Sequence, residues 1–382
     1  MKITRILLAA LCLMPLLLTS TAFAADYIAY IGDYTRGATK GIYGYRFDPA
    51  TGSMTLLGVM AETTDPSFLA IHPNRRFLYA VNENDKPGLE GNTVSAFSID
   101  SKTGHLKFLN KVSTRGVGPC HVSVDKSGRN VLVANYQSGS LAIMPIHADG
   151  TLSDASAFVQ YQGSSANPQR QKGPHTHCAI TSPDNRFALV ADLGLDRVMV
   201  YHFDAAKGTI TPNEPPYAAV HPGEGPRHLA FHPNGKILYL ITEMGSTVTT
   251  FAYQPSNGTL RELQDISALP AGFTGKSTGA EIQIDRSGRH LYASNRGSDT
   301  IAVFNIDPAK FTLTHVQDIS TQGAIPRYIG LDPTGAYLFS VNQNGNNIVQ
   351  FRVDAKTGRL TPTGQVLKDV GSPVCMVFLQ PR

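Results

Sequence analysis

Cysteine is scarce in this chain of 382 residues, with only four present. One of them, Cys12, lies in an apolar stretch near the N-terminus. The other three, Cys120, Cys178 and Cys375, are an odd number, so a disulfide framework cannot use them all. They are expected to be buried thiols on three different strands. Charge of one sign is also lacking. Setting aside Lys2 and Arg5, 31 basic residues face 29 acidic ones, with no basic run. That excludes the electrostatic footprint of a nucleic-acid partner. No long segment carries a helical apolar period, which argues against a bundle or an α/β sheet. No Gly-x-Ser-x-Gly nucleophile elbow is expected, which argues against a serine-hydrolase mechanism. Long hydrophobic runs are confined to Ile6–Leu18, which is short for a membrane span.

What the chain does have is a repeat. The segment GEGPRHLAFHPNGKILYLITEMGSTVTTF, Gly223 to Phe251, has counterparts about every 50 residues. Each counterpart is an apolar strand, a tight turn, a second apolar strand and a closing polar residue. The turns align on Arg75, Gly128, Asn185, Gly235, Gly288 and Gly335. Glycine or asparagine suits such a turn because the backbone there needs a positive φ. A further hairpin carries Asp-x-x-x-Gly, as in IDSKTGHL and VDAKTGRL, and leads to an outer strand. Short strands at this period specify a β-propeller. A seventh copy is split. Ser372 to Leu379 matches the innermost strand of the other repeats, whereas Tyr27 to Gly32 and Gly41 to Asp48 read as later strands of a blade without its first. The expected fold is therefore all-β, a seven-bladed propeller over residues 25–382 whose last blade is closed by both termini. Closure of this kind removes most open sheet edges.

Residues 1–24 are a separate object. Lys2 and Arg5 precede the apolar run, and Ala22-Phe23-Ala24 follows it. This is the pattern of a secretory signal cleaved after Ala24, and it predicts a periplasmic or secreted protein. Cys12 lies inside the apolar run, so no lipid-attachment cysteine stands at the cleavage point. No membrane association is expected after cleavage, and a monomer is expected.

Equivalent positions of the blades form rings around a central channel. Seven residues after the turns come Asn82, Asn135, Asp192, Thr242, Asn295 and Asn342; the next residues include Glu83, Tyr136, Glu243 and Arg296. Seven and eight residues before the turns come Cys120/His121, His177/Cys178, Arg227/His228, Ala280/Glu281 and Arg327/Tyr328. Both sets are expected at one end of the channel. Packing alone would place similar residues at all equivalent positions, so Glu243, Arg227, His177 and Arg296, which differ from their counterparts, are the candidate catalytic residues. Substrate contacts are expected from His175, His228, Glu281, Arg327, Arg170, Asp192, Asn135 and Asn295, with repeat-capping hydrogen bonds as the other reading of the Asn/Asp ring. The loop Gly163 to His177, GSSANPQRQKGPHTH, is longer than its equivalents and brings Arg170, His175 and His177 to the same end. His175-x-His177 has the look of half a metal site, but no third ligand stands at matching spacing, and no metal or cofactor is expected.

The motifs NPQRQKGPHTH, ADLGLDRVMVY, GPRHLAFHPNGKILYLITE, FTGKSTGAEI and YASNRGSDTIAVF, in that order, resemble the lactonase family of seven-bladed β-propellers. That family includes propeller-type 6-phosphogluconolactonases and fungal carboxy-muconate lactonizing enzymes. The resemblance implies a metal-free site handling a small-molecule lactone, with the histidine of GPHTH, Arg227, Glu243 and Arg296 in it. Met244-Gly245 departs from the commoner Leu-Ser, and Gly279 from the usual Ala. The signal sequence is the larger departure, since a phosphorylated sugar lactone is a cytoplasmic metabolite. Lactone hydrolysis needs activated water, a stabilised oxyanion and a proton for the leaving alkoxide. Glu243 is the expected base, Arg227 and Arg296 the oxyanion or carboxylate holders, and His177 or His228 the proton donor. The alternatives are a non-catalytic ligand- or protein-binding propeller, a lactonizing cycloisomerase, and a metal-dependent lactonase or quinone-type dehydrogenase.

Overall fold

Seven four-stranded antiparallel sheets, each running from an inner to an outer strand, account for all the strands among the described residues of the computed structural model, 26–83 and 92–380. The predicted signal sequence lies outside these residues. Blades 1 to 6 follow chain order. Their inner strands are Leu69–Ile71, Pro119–Val124, Thr176–Thr181, Pro226–Phe231, Thr278–Ile284 and Pro326–Leu331. Blade 7 is composite. Its inner strand, Ser372–Leu379, pairs with Tyr27–Tyr34, and the strands Gly41–Phe47 and Met54–Glu62 complete it. The closure expected from the split repeat is therefore present, with Ile31 opposite Met376 and Gly32 opposite Cys375.

The second strand of each blade is buried on both faces, which explains its unbroken apolar run. In Ile237–Thr242 and Phe187–Asp192 every residue is buried. Their side chains fill seven apolar clusters, one at each interface between neighbouring blades. At the closing interface Phe47 stacks edge-on against Tyr337 and Phe339 of blade 6. Gln350 Nε2 also reaches Gly52 O at 2.6 Å. Each fully buried large apolar side chain contributes roughly 1.5–3 kcal/mol, so the core is a ring of similar contributions.

All six aligned turn residues have positive φ, including the non-glycines Arg75 and Asn185. At Gly128 and Gly288 the glycine is also demanded by contact. A Cβ would lie 2.5 Å from the His72 ring and 2.4 Å from the His232 ring, respectively. Those rings hydrogen-bond the same glycines' carbonyls at 2.8 and 2.9 Å, tying one blade to the next. Cys120, Cys178 and Cys375 are buried free thiols on three inner strands, as expected.

Candidate active site at one mouth of the channel

Inner strands begin with an irregularity that aims side chains at the channel mouth. In blade 4 Pro226 pairs with Thr242 and His228 with Ile241, which leaves Arg227 as an extra, unpaired residue. The same bulge frees His177 in blade 3, Cys120 in blade 2 and Arg327 in blade 6. A bulge re-aims the side chain it carries. Three of the four bulged residues are among those the sequence had marked.

Glu243 follows the second strand of blade 4, its N–H donating to Gly225 O at 2.7 Å. Its carboxylate meets Arg170 Nη2 at 2.6 Å, Arg296 Nη2 at 2.9 Å and Arg227 Nε at 3.2 Å. Burial would raise its pKa, but Arg296, Arg227 and Arg170 together hold it far below the ordinary carboxylate range. Glu243 was expected as the base. An ion-paired carboxylate of such low basicity accepts a proton poorly, and the geometry makes it the anchor of three guanidiniums instead. Burial, with repulsion from Arg296 and Arg327, lowers the Arg227 pKa to about 10, so it stays charged at neutral pH. Arg227 Nη1 also donates to Ala280 O at 2.5 Å, and Arg296 Nη2 to Gly279 O at 2.9 Å. Among the described residues, Arg296 Nε is a buried donor with no partner.

The long loop delivers what was expected of it. Arg170 crosses to Glu243 and also donates to the Tyr136 hydroxyl at 2.9 Å. His177 Nε2 lies 4.0 Å from Glu243. Burial and the charges of Arg227 and its neighbours hold the His177 pKa well below normal, which keeps the ring neutral. His175 contributes indirectly: its ring stacks on Tyr136 and its Nδ1 lies 2.9 Å from Tyr136 O. Among the described residues, side chains at metal-ligand spacing are His221, Glu224 and Asp265, on the connection into blade 4 and its outer strand, not His175 and His177.

Arg327 stands on another wall, its guanidinium 5.6 Å from the centre of the Tyr34 ring. Tyr34 donates to Glu83 at 2.9 Å, and Ser67 donates to the same carboxylate oxygen. Tyr136, Tyr34 and Glu83 were not among the predicted site residues. The strand register reveals Tyr34: Pro373 pairs with Asp33 as Pro226 pairs with Thr242, so Asp33 and Tyr34 are the seventh members of the two rings.

His228 and Glu281 lie deeper, in the throat. A cavity of about 290 Å³ is lined there by Phe68, His121, His228, Glu281 and Tyr328, among others. His228 Nδ1 is 2.9 Å from Glu281 Oε2. Burial lifts the Glu281 pKa to about 8, whereas burial and Arg227 push His228 well below its ordinary value. At neutral pH the pair therefore holds one proton between them and carries no net charge.

Asn135, Asp192 and Asn295 do not join the pocket as substrate contacts. Asp192 accepts from the backbone N–H groups of His175, Gly194 and Leu195. Asn295 donates to Ala268 O at 2.6 Å, and Asn135 to Ser140 Oγ at 3.1 Å. These buried side chains are loop-holding members of a capping ring, the other of the two readings. The string Gly275-Lys276-Ser277-Thr278-Gly279 spells the letters of a nucleophile elbow. Ser277 leads into a strand, however, and donates to Arg296 O, so no elbow forms.

A family model described as "Lactonase, 7-bladed beta-propeller" matches residues 28–378. The chain belongs to this lactonase family. Similar members include a 6-phosphogluconolactonase of Bacillus subtilis, 37% identical over 353 residues, covering 92% of this chain and 98% of that one. A 6-phosphogluconolactonase of Formosa agariphila is 33% identical, covering 91% and 99%. Among solved structures, the periplasmic gluconolactonase of Pseudomonas aeruginosa superposes with a TM-score of 0.88 at 35% identity, covering 94% of this chain and 100% of that one. The family match spans all seven blades, so the residues at the mouth are to be read as those of a lactonase-type propeller.

Proposed function

We infer that this protein is an exported lactonase that opens a sugar lactone by water attack on the ring ester, without a metal. The observation that carries the reading is the convergence of Arg227, Arg296 and Arg170 on buried Glu243, with the neutral imidazole of His177 beside them. Fixed guanidiniums in a low-dielectric mouth are suited to the oxyanion that develops as water adds to the carbonyl. Arg296 Nε, a buried donor without a partner among the described residues, is the group with capacity to spare. Glu243 keeps the three cations together and oriented. Arg327 on the far wall adds positive charge for an anionic or polyhydroxy substrate.

The names of the relatives support lactone hydrolysis, and the signal pattern of residues 1–24 supports export. An exported enzyme would not meet a cytoplasmic sugar phosphate, so unphosphorylated gluconolactone is the favoured substrate. The test is a base-consumption assay of the chain beginning at Ala25. The panel is glucono-δ-lactone, its 6-phosphate and several γ-lactones, each with and without a chelator. Hydrolysis above the spontaneous rate, unaffected by chelation, is expected. No acceleration on any of them would leave a non-catalytic binding propeller as the better account. N-terminal mass spectrometry of protein from the periplasm should find Ala25 first; an intact Met1 would remove the export argument.

A further inference from the structure

The lactonase reading needs a group that takes a proton from water, and Glu243, bound by three guanidiniums, is ill suited to it. The throat holds a better-built acceptor. We propose that His228 is the base that activates the attacking water, and that Glu281 is the positioning residue that orients it.

The geometry has three parts. Glu281 Oε2 fixes His228 at Nδ1, 2.9 Å away, and Glu281 Oε1 is itself held by the N–H of Ile282 at 3.0 Å. His228 Nε2 is buried and has no partner among the described residues. The ring lines the throat cavity one residue below Arg227, and its centre is 5.0 Å from that of His177. An imidazole gripped by a carboxyl at one nitrogen and bare at the other is the arrangement general-base chemistry requires. His177 lacks it, since among the described residues its Nδ1 has only the Cys120 thiol at 3.8 Å. His121 lacks it too, with Nε2 at 3.6 Å from the Cys178 thiol and Nδ1 against the Ala179 N–H.

The step balances. Water loses a proton to His228 Nε2 as its oxygen bonds to the lactone carbonyl carbon, and the oxyanion forms beside the guanidiniums. The ring C–O bond then breaks, and the alkoxide takes the proton back from Nε2. The new carboxylic acid ionises to solvent.

Arg227, Arg296, Arg327 and Glu243 act on His228 from the mouth. His121 and His177 face it as neutral rings. Cys178, Cys375 and Tyr328 surround Glu281, and burial keeps all three protonated. With one proton on the pair at neutral pH, Nε2 becomes fully available as the pair deprotonates near pH 8. Replacing Glu281 by Gln leaves His228 to titrate alone, below its ordinary pKa.

This rests on the lactonase reading, so the experiment uses the panel lactone that the wild type turns over fastest, corrected for spontaneous hydrolysis at each pH. His228→Asn should lower kcat roughly 10²–10⁴-fold with KM within about threefold. The rising limb of kcat/KM, near pH 8 in the wild type, should move below pH 6.5 in Glu281→Gln. If His228→Asn stays within about threefold of wild-type kcat while Arg227→Lys is inactive, the lactonase reading stands and the dyad is overturned. If His228→Asn does not fold, the Glu281→Gln profile decides, and an unmoved limb overturns the proposal. A wild type inactive on the whole panel removes both.

Discussion

Glu243 and Glu281 are buried to the same degree, 5% and 4% exposed, on neighbouring blades, and their ionisation goes opposite ways. At the mouth, three guanidiniums outweigh the cost of burial and Glu243 stays ionised far into acid. In the throat, burial dominates, Arg227 opposes it from a distance, and Glu281 holds its proton to about pH 8. Burial depth therefore does not decide charge; the number of cations in contact does. Arg227 serves both regions. Its Nε faces Glu243, and its Nη1 grips the carbonyl of Ala280, next to Glu281. The mouth is built to stabilise charge and the throat to move a proton.

The comparison breaks most severely if Arg227 is lost. Arg227→Met keeps length but leaves Glu243 underpaired in a buried site, and should cost ~3–5 kcal/mol in chemical denaturation. Next comes Glu243→Gln, which removes the common anchor. Turnover should fall roughly 10²–10³-fold although the proposed proton acceptor is His228. Near-normal turnover at matched folded concentration would show that the arginines hold themselves in place.

The third test uses pH. Glu281 has a folded pKa raised above its unfolded value, so between about pH 4.5 and 8 the folded protein keeps a proton that the unfolded chain has lost. Stability should fall as pH rises through this window, by up to about 1.4 kcal/mol per pH unit. The difference between wild type and Glu281→Gln isolates the effect, since Asp33 and Asp192 are also raised. The variant should gain stability relative to wild type from pH 5 to pH 8, and a constant difference would mean that Glu281 is ionised throughout. The smallest effect belongs to the capping ring. Asn342 bonds Thr321 O, Asn347 and Ser340, none of them among the mouth side chains described above. Asn342→Ala should cost about 1–3 kcal/mol of stability with turnover little changed.

Blade number, closure and the gathering of polar side chains at one mouth were legible because a propeller writes its geometry as a period. Arg227, Glu243, Arg296 and His177 stood out as exceptions to that period. What could not be read depended on contacts across blades. The base role expected of Glu243 did not anticipate the three cations, from its own blade, the next blade and the long loop, that reach it. Asn135, Asp192 and Asn295 were ring members whose partners are their own loops, and side-chain direction is not written in an offset. Bulges leave no mark in the sequence, although they decide which of two adjacent residues, such as Arg227 and His228, enters the mouth or the throat. Asp33 and Tyr34 were missed for a simpler reason: their blade has no turn residue in the chain to count from.

The strand that closes the ring, Ser372–Leu379, follows all the other described strands in the chain and is the innermost of its blade. A nascent chain can stack its early blades, but the inner edge of Tyr27–Tyr34 waits for its partner until Ser372–Leu379 has been made. Contacts such as that between Gly52 and Gln350 wait equally long. Such late closure lengthens the time a chain spends open. Under the proposed export the chain would be threaded through a membrane before it folds, and that delay would then be useful: the lock would turn only after the other blades have passed.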